Sequence, residues 1–140
     1  RTEDVKIWGM WNILGEEVFG DASQEELRPW YYTWSLMCRC FPAGCDILAC
    51  GVPQRDGVRV AAARKDGAYS VAAVNFSQES CDIEIALPGD FAGGVLYRYT
   101  ECDRACDERG LPVPCERGIA GRSFRTTLPA ESFVLLTNIE

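Results

Sequence analysis

From Asp46 onward the chain consists of short stretches with the two-residue alternation of β-strands, separated by turn residues. In Asp82–Leu87, for example, Ile83 and Ile85 alternate with Asp82 and Glu84. Such alternation gives a strand one buried and one wet face, which is typical of an antiparallel sheet. The pattern predicts seven strands, at Asp46–Cys50, Val58–Arg64, Tyr69–Phe76, Asp82–Leu87, Gly94–Glu101, Ser123–Leu128 and Ser132–Ile139.

The connections between these stretches favour a β-sandwich. Lys65-Asp66-Gly67 predicts a tight hairpin, because Asp-Gly supplies the positive φ angles that two-residue hairpin turns require. The longest connection is Cys102–Arg122, which is rich in charge, proline and glycine. Seven short strands joined by turns are typical of a sandwich.

A helix is predicted ahead of the strands. Ser23–Glu26 has the form of a capping box, and Phe41–Gly44 supplies the expected Pro and Gly after the last turn. Pro29 either kinks this helix or begins its main part. Apolar residues recur with the spacing of one helical face at Leu27, Trp30, Tyr31, Trp34, Met37, Cys38 and Phe41.

These elements define the expected fold class and domain organisation. The chain is expected to be mainly β, an antiparallel β-sandwich of about seven strands preceded by one aromatic-rich α-helix. Residues 1–44 form the N-terminal segment with its amphipathic helix, and residues 45–140 form the β-sandwich domain.

Composition excludes several classes of function. The 140 residues carry a net charge of −7 and contain no histidine, which argues against a nucleic-acid partner and removes the usual Ser and Cys triads. No apolar run has the length of a membrane span, and no cofactor motif is present. The first residues form no signal peptide and include no initiator Met, so we expect a fragment or a processed piece.

Eight cysteines are many for this length. Their spacings contain no C-x2-C zinc knuckle, and Cys38, Cys50 and Cys81 occupy positions where an apolar residue would fit. We therefore expect mostly free thiols, which would favour a cytoplasmic protein, although localisation is otherwise unassigned. Disulfides and a metal site remain alternatives, and the best candidate for a bridge is a pair within the loop that carries Cys102, Cys106 and Cys115.

Carboxylates and hydroxyls give weak support for catalysis. Neighbouring residues such as Glu16 and Glu17 rarely face each other across a scissile bond, so solvated loop charges are the favoured interpretation. Asp103, Asp107 and Glu108 share a loop but match no EF-hand spacing. Serines such as Ser35 and Ser70 lie in no G-x-S-x-G motif. The sequence therefore offers no catalytic set.

Aromatic residues offer the best candidates for ligand binding, because ring faces stack on the apolar face of a sugar. The rings of the N-terminal region are Trp8, Trp11, Trp30, Tyr31, Tyr32 and Trp34. Helical spacing favours a core stripe for Trp30, Tyr31 and Trp34, which leaves Trp8 and Trp11 as the predicted carbohydrate-binding residues. Tyr97 and Tyr99 share a strand face with Val95, and packing in the interior is the favoured interpretation.

The order of these elements resembles the C-terminal end of a clan A-type (β/α)8 glycoside hydrolase. Ile7–Trp11 is similar to the last barrel strand and its loop, and Arg28–Cys38 to the final barrel helix. The strands from Asp46 onward are similar to the trailing β-sandwich. The closing phrase Leu128-Pro-Ala-Glu-Ser-Phe-Val-Leu-Leu136 resembles its last turn and strand.

The resemblance implies a non-catalytic accessory domain that packs on and stabilises the catalytic barrel of its parent chain, since the family's acid/base and nucleophile lie on earlier barrel strands. A carbohydrate-binding module and an immunoglobulin-like domain are the alternatives, although no Trp after Trp34 supplies the immunoglobulin Cys…Trp…Cys pattern. Without the barrel, a helix face of Leu27, Trp30 and Trp34 is expected to pair with a second copy of the chain.

Overall fold

One helix and eight strands make up residues 29–51, 55–100 and 102–139, the part of the chain that the computed structural model describes. Helix α1 comprises Pro29–Cys40. The strands are β1 (Asp46–Leu48), β2 (Val58–Lys65), β3 (Ala68–Asn75), β4 (Cys81–Ala86), β5 (Gly94–Tyr99), β6 (Glu116–Ile119), β7 (Ser123–Leu128) and β8 (Ser132–Thr137).

The strands form two antiparallel sheets. Six of them lie in the order β1-β2-β3-β8-β5-β6, and β4 pairs with β7 in a second sheet that packs on one face of the first. Helix α1 packs on the opposite face, over β5 and β8. The predicted fold class, an antiparallel β-sandwich with one preceding aromatic-rich helix, is confirmed.

Strand β6 was not predicted, and it lies inside the connection Cys102–Arg122. Its residues are exposed except Ile119, and Gly118 has a φ of 75°. An edge strand with one buried residue has no alternation for a sequence pattern to detect. The sandwich therefore has eight strands where the sequence predicts seven.

Strand β8 is the centre of the molecule, because all six of its residues are buried. Phe133 and Leu135 pack with α1, whereas Val134 and Leu136 pack with the two-stranded sheet. We call the face that carries Phe133 and Leu135 the helix side, and the other face the sandwich side. Alternate residues of one strand thus join both layers of the core.

Helix α1 turns mainly another face to the sheet than the predicted one, although Tyr31, Met37 and Phe41 of the predicted stripe are partly buried against the same core. Tyr32, Leu36 and Cys40 are buried at four-residue spacing, while Trp34 and Cys38 are exposed. The helix therefore carries two apolar stripes, and the one formed by Tyr32, Leu36 and Cys40 packs on the sheet. The structure describes α1 from Pro29 onward, so both roles predicted for that proline stay predictions, and Leu27 and the capping box lie outside the described residues.

Two turns follow the predicted chemistry. Asp66 and Gly67 both have positive φ, 51° and 83°, as the hairpin between β2 and β3 requires. After α1, the amide of Phe41 still donates to the carbonyl of Met37 at 2.9 Å, and Gly44 adopts a φ of 77°. The predicted hairpin and helix end are confirmed.

Asn75 ties the closing turn of the sandwich to the β3–β4 loop. Its buried amide Nδ2 donates to the carbonyl oxygens of Glu79 at 2.7 Å and Pro129 at 2.8 Å. Its Oδ1 accepts from the backbone N–H of Ser77 at 3.0 Å. The turn between β7 and β8 is therefore held by a side chain that is distant in sequence.

All eight cysteines are free thiols. Cys81 is buried, as predicted, but Cys38 and Cys50 are exposed and Cys40 is buried instead. The loop thiols of Cys102, Cys106 and Cys115 are likewise unbridged. Burial raises the pKa of the Cys40 thiol, and free buried cysteine here behaves as a small apolar side chain.

The proposed boundary at residue 44 stays a prediction. No helix among the described residues is long and apolar enough to cross a membrane.

Candidate functional site

Four of the five large hydrophobic side chains that the described residues expose lie on the helix side. They are Trp34 at 50 % exposure, Ile47 at 70 %, Val74 at 38 % and Phe76 at 57 %, and we call them the helix-side apolar patch. The fifth, Leu111, belongs to the loop between β5 and β6.

Strand register places the patch residues on this side. Val74 of β3 is paired with Phe133 of β8, whose side chain packs beside α1. Ile47 of β1 is paired with Ala63 of β2, which in turn is paired with Ser70 of β3. Ser70 and Val74 have the same parity along β3, so Ile47 and Val74 emerge on the same face.

Helix α1 covers only the middle of that face. Its main contacts are with β5 and β8. Ala63, Ser70 and Ala72 are also buried on this side, whereas Ile47, Val74 and Phe76 remain exposed. There Arg59 lies over the ring of Phe76 at 5.2 Å from the ring centroid. A guanidinium on an aromatic ring covers apolar surface and keeps its charge in water.

Tyrosines of α1 and of β5 pack against one another between the helix and the sheet. The Tyr32 and Tyr99 rings stack with centroids 5.4 Å apart, and Tyr31 meets Tyr32 edge-on at 5.3 Å. The Tyr99 hydroxyl donates to the carbonyl of Ala105 at 2.7 Å, and Arg39 Nη2 donates to the Tyr97 hydroxyl at 2.6 Å. Tyr97 and Tyr99 therefore pack in the interior, as predicted, with their polar ends satisfied.

Burial is the main cause of a raised pKa in two of these phenols. It raises the pKa of Tyr32 to about 12, with the neighbouring Cys106 adding to the effect. It also raises the pKa of Tyr99. Both phenols are therefore protonated at physiological pH.

Three of the described carboxylates, those of Asp46, Glu79 and Glu84, form ion pairs with arginines at the surface. Glu84 contacts Arg125 at 3.0 Å, and this partner lowers the pKa of the Glu84 carboxyl. Asp46 contacts Arg64 at 2.9 Å. A general acid of a glycosidase needs a raised pKa, so Glu84 has the wrong electrostatics for that role. Glu16 and Glu17 lie outside the described residues.

In the loop that carries Asp103, Asp107 and Glu108, one carboxylate accepts hydrogen bonds from the backbone of the loop itself. Asp107 Oδ1 accepts from the amides of Arg109 at 2.9 Å and Leu111 at 2.8 Å, while Asp103 and Glu108 are exposed. No group of three or more Cys, Asp or Glu in the described ranges is arranged to hold a metal ion.

The remaining predicted candidates are two serines and three tryptophans. Ser70 is buried and shares a 2.6 Å hydrogen bond with Thr137, and Ser35 donates to the carbonyl of Tyr32 at 2.9 Å, so both hydroxyls are structural. Trp8 and Trp11 lie outside the described residues, and their carbohydrate-binding role stays a prediction. Trp34, predicted as core, is half exposed.

A second feature lies on the sandwich side, where a cleft of about 600 Å³ separates β4 from β1, β2 and β3. Its walls include Val58, Val60, Ile83 and Ile85. Sequence reasoning missed this cleft. The alternation of the two isoleucines marks a buried face, but the gap arises because β7, rather than β4, packs over β3 and β8.

No protein-family model and no curated protein matches the sequence of this chain. Its fold, however, is similar to part of several solved GH30 glycoside hydrolases. A GH30 endoxylanase from Clostridium papyrosolvens C71 superposes with a TM-score of 0.63 at 16% identity, over 84% of this chain and 29% of that one. A family 30 subfamily 8 xylanase from Clostridium acetobutylicum gives 0.64 at 12% identity, with the same coverage.

The catalytic domain of GH30 xylanase C from Talaromyces cellulolyticus gives a TM-score of 0.64 at 18% identity, over 84% of this chain and 25% of that one. The predicted resemblance to part of a glycoside hydrolase is confirmed at the level of the fold. This chain spans less than a third of the length of each of these proteins.

Proposed function

We propose that this chain is a non-catalytic accessory β-sandwich of a glycoside hydrolase, and that it packs against and stabilises the catalytic barrel of its parent protein. Similarity of fold to between 25% and 29% of three GH30 xylanases supports the proposal. A domain that matches such a fraction of an enzyme has the size of a supporting part.

The observation that carries the proposal is the helix-side apolar patch. Isolated exposed hydrophobic residues are normal, but several on one side of a domain mark an interaction surface. Trp34 stands on the outer face of α1, and Val74 and Phe76 lie on the uncovered part of the same sheet face. An interface between domains of one chain buries about 600–1,500 Å², and α1 with the adjoining sheet face would form this interface.

The carboxylates support the non-catalytic part. A glycosidase needs an acid and a second carboxylate across the scissile bond, about 5–9.5 Å apart. Among the described residues, Asp46 and Glu84 are engaged by arginines and Asp107 by its own loop. Their positions suit stability and solubility.

The direct test is an assay of the purified chain beside its parent protein, with aryl β-xylosides and xylan as substrates because the similar structures are xylanases. We expect hydrolysis by the parent and none by residues 1–140 alone. Sustained hydrolysis by the isolated chain, with an elution profile that follows the protein, would contradict the proposal. A Glu84→Gln variant serves as a control and is expected to leave the parent's activity unchanged.

A further inference from the structure

The loop between β5 and β6 lies at the N-terminal end of α1, because the helix runs antiparallel to β5. Tyr32, near the start of the helix, stacks on Tyr99 at the end of β5 with ring centroids 5.4 Å apart. Arg39, near the end of the helix, donates to the Tyr97 hydroxyl at 2.6 Å. The loop leaves β5 directly after Tyr99, and its Cys106 neighbours Tyr32.

In a (β/α)8 barrel the loops that follow the strands form the catalytic face, and each helix follows one of those loops. A barrel helix therefore begins at the catalytic face and runs away from it. The superpositions on the three GH30 xylanases cover 84% of this chain, more than residues 45–140 provide, so they extend into the segment that contains α1. With α1 as the last barrel helix, the loop between β5 and β6 lies on the catalytic side of the parent.

The tip of this loop, Asp107–Leu111, is a closed turn. The amide of Asp107 donates to the carbonyl of Leu111 at 2.9 Å, and the amide of Gly110 donates back to the carbonyl of Asp107 at 2.9 Å. Gly110 has a φ of 73°, a conformation that favours glycine. Behind the tip, the amide of Val113 donates to the carbonyl of Ala105 at 3.1 Å. A turn fixed in this way presents its side chains at a small entropic cost on binding.

The side chains at the tip offer three kinds of contact. Glu108 supplies hydrogen-bond acceptors and Arg109 supplies donors, and both are exposed. Leu111 is 46 % exposed and supplies an apolar surface. The described loop residues, 102–115, carry three carboxylates and two guanidinium groups, so the loop has no net positive charge to attract an anionic polymer. A neutral polysaccharide fits this set, because its hydroxyls both donate and accept while the faces of its rings are apolar.

We propose that the tip Asp107–Leu111 binds a neutral polysaccharide substrate of the parent glycoside hydrolase beside its catalytic face. Glu108 and Arg109 bond to sugar hydroxyls, and Leu111 packs on the apolar face of a ring. The inference rests on the proposed function, because the barrel of the parent holds the reacting sugars. The tip contacts units of the polysaccharide that do not react, so it binds substrate and transition state equally and lowers KM without changing kcat.

The test measures hydrolysis by the parent protein with xylan and with an aryl β-xyloside, the substrates of the assay above. A variant with both Arg109→Ala and Leu111→Ser removes the donor and the apolar surface but keeps Asp107, which closes the turn. We expect KM for xylan to rise at least threefold at unchanged kcat. The aryl β-xyloside carries a single sugar and does not extend to the tip, so its KM and kcat are expected to stay unchanged.

Arg122→Ala is the matched control. Arg122 is also exposed, but it follows β6 at the opposite end of the sandwich, where Ile119 is paired with Gly94. This variant is expected to leave KM and kcat for both substrates unchanged. An unchanged KM for xylan in the tip variant would overturn the proposal. An equal rise in KM for both substrates would also overturn it, because the tip would then support the barrel rather than bind sugar.

A second measurement uses the unmodified parent, so it decides even where the tip variant fails to fold by circular dichroism. Cys106 is exposed and directly precedes the tip, and its alkylation by iodoacetamide can be followed by peptide mass spectrometry. A xylohexaose with sulfur in place of its bridging oxygens, which resists hydrolysis, is expected to slow this alkylation at least twofold and to leave that of the exposed Cys50 unchanged. No protection of Cys106 would overturn the proposal.

The two proposals can fail separately. Hydrolysis of xylan by the parent, with none of these effects of the tip, would overturn this inference alone. Hydrolysis by residues 1–140 alone would contradict the proposed function.

Discussion

The two faces of the six-stranded sheet are closed in different ways. On the helix side, the core is aromatic, with Tyr32 of α1 packed against Tyr97, Tyr99 and Phe133 of the sheet. On the sandwich side it is mostly aliphatic and is covered by a sheet of only two strands. Strand β8 contributes to both sides through alternate residues.

Among the described residues, the two faces also differ in the apolar surface that they leave accessible. On the helix side the centre is filled and apolar side chains stand exposed around it, a surface suited to a broad partner such as a folded domain. On the sandwich side, the described residues leave a cleft of about 600 Å³ between β4 and β1, β2 and β3.

The sharpest way to compare the two cores is to truncate two adjacent, fully buried leucines of β8. Leu135→Ala, on the helix side, is expected to cost about 4–5 kcal/mol, because rigid stacked rings around it cannot collapse into the cavity. Leu136→Ala, on the sandwich side, is expected to cost about 2.5–3.5 kcal/mol, because the neighbouring cleft lets its surroundings relax. Urea unfolding of both variants measures the difference, and an equal or larger loss for Leu136→Ala would break the comparison.

The Asn75 network tests how the sandwich side is held at its end. Asn75→Ala removes three donated bonds, to the carbonyl oxygens of Glu79, Leu128 and Pro129, and leaves these partly or fully buried groups without this partner, so we expect a loss of about 2–3 kcal/mol. Gln78→Ala, which removes an exposed 2.7 Å bond to Glu131, is the control and should stay within about 0.5 kcal/mol. Similar losses for both variants would mean that the network adds nothing beyond surface hydrogen bonding.

Alkaline titration tests the aromatic side. Because burial raises the pKa of Tyr32 to about 12 in the folded chain, against an unfolded value of about 10, its contribution is complete below pH 10 and is lost as the pH rises towards 12. At pH 11 this linkage amounts to about 1 kcal/mol. Tyr32→Phe, compared with wild type at pH 8 and pH 11, should lose less stability over that interval. Parallel losses would contradict the assigned burial.

Local chemistry made part of the fold predictable. The Asp66-Gly67 hairpin depends on φ angles that few other residue pairs adopt, and the apolar run of β8 is long enough to identify a central strand. Gly94 shows the limit of this approach. A Cβ at that position would lie 2.5 Å from the ring of Phe91, a contact that arises only after the chain has folded.

The orientation of α1 and the cleft could not be predicted for the same reason. Trp34 and Leu36 both belong to plausible apolar stripes, and the choice between them depends on the shape of the sheet beneath. Phe76 carried a usable signal, since it continues the Ala72–Val74 parity of β3 towards the helix side. The cleft depends on which strand of the small sheet lies over β3 and β8, and no periodicity encodes that.

The most direct test of the central claim is the effect of Trp34→Ser in two contexts, the isolated chain and the full parent protein. In residues 1–140 alone, a half-exposed ring should change the free energy of unfolding by no more than about 1 kcal/mol. If α1 packs on a barrel, the same substitution should cost the parent at least about 2 kcal/mol, as a buried interface tryptophan does. Leu111→Ser, which removes an exposed leucine outside the patch, is expected to have equal small effects in both. The account predicts a larger loss in the parent for Trp34→Ser only, and equal losses in the two contexts would contradict it.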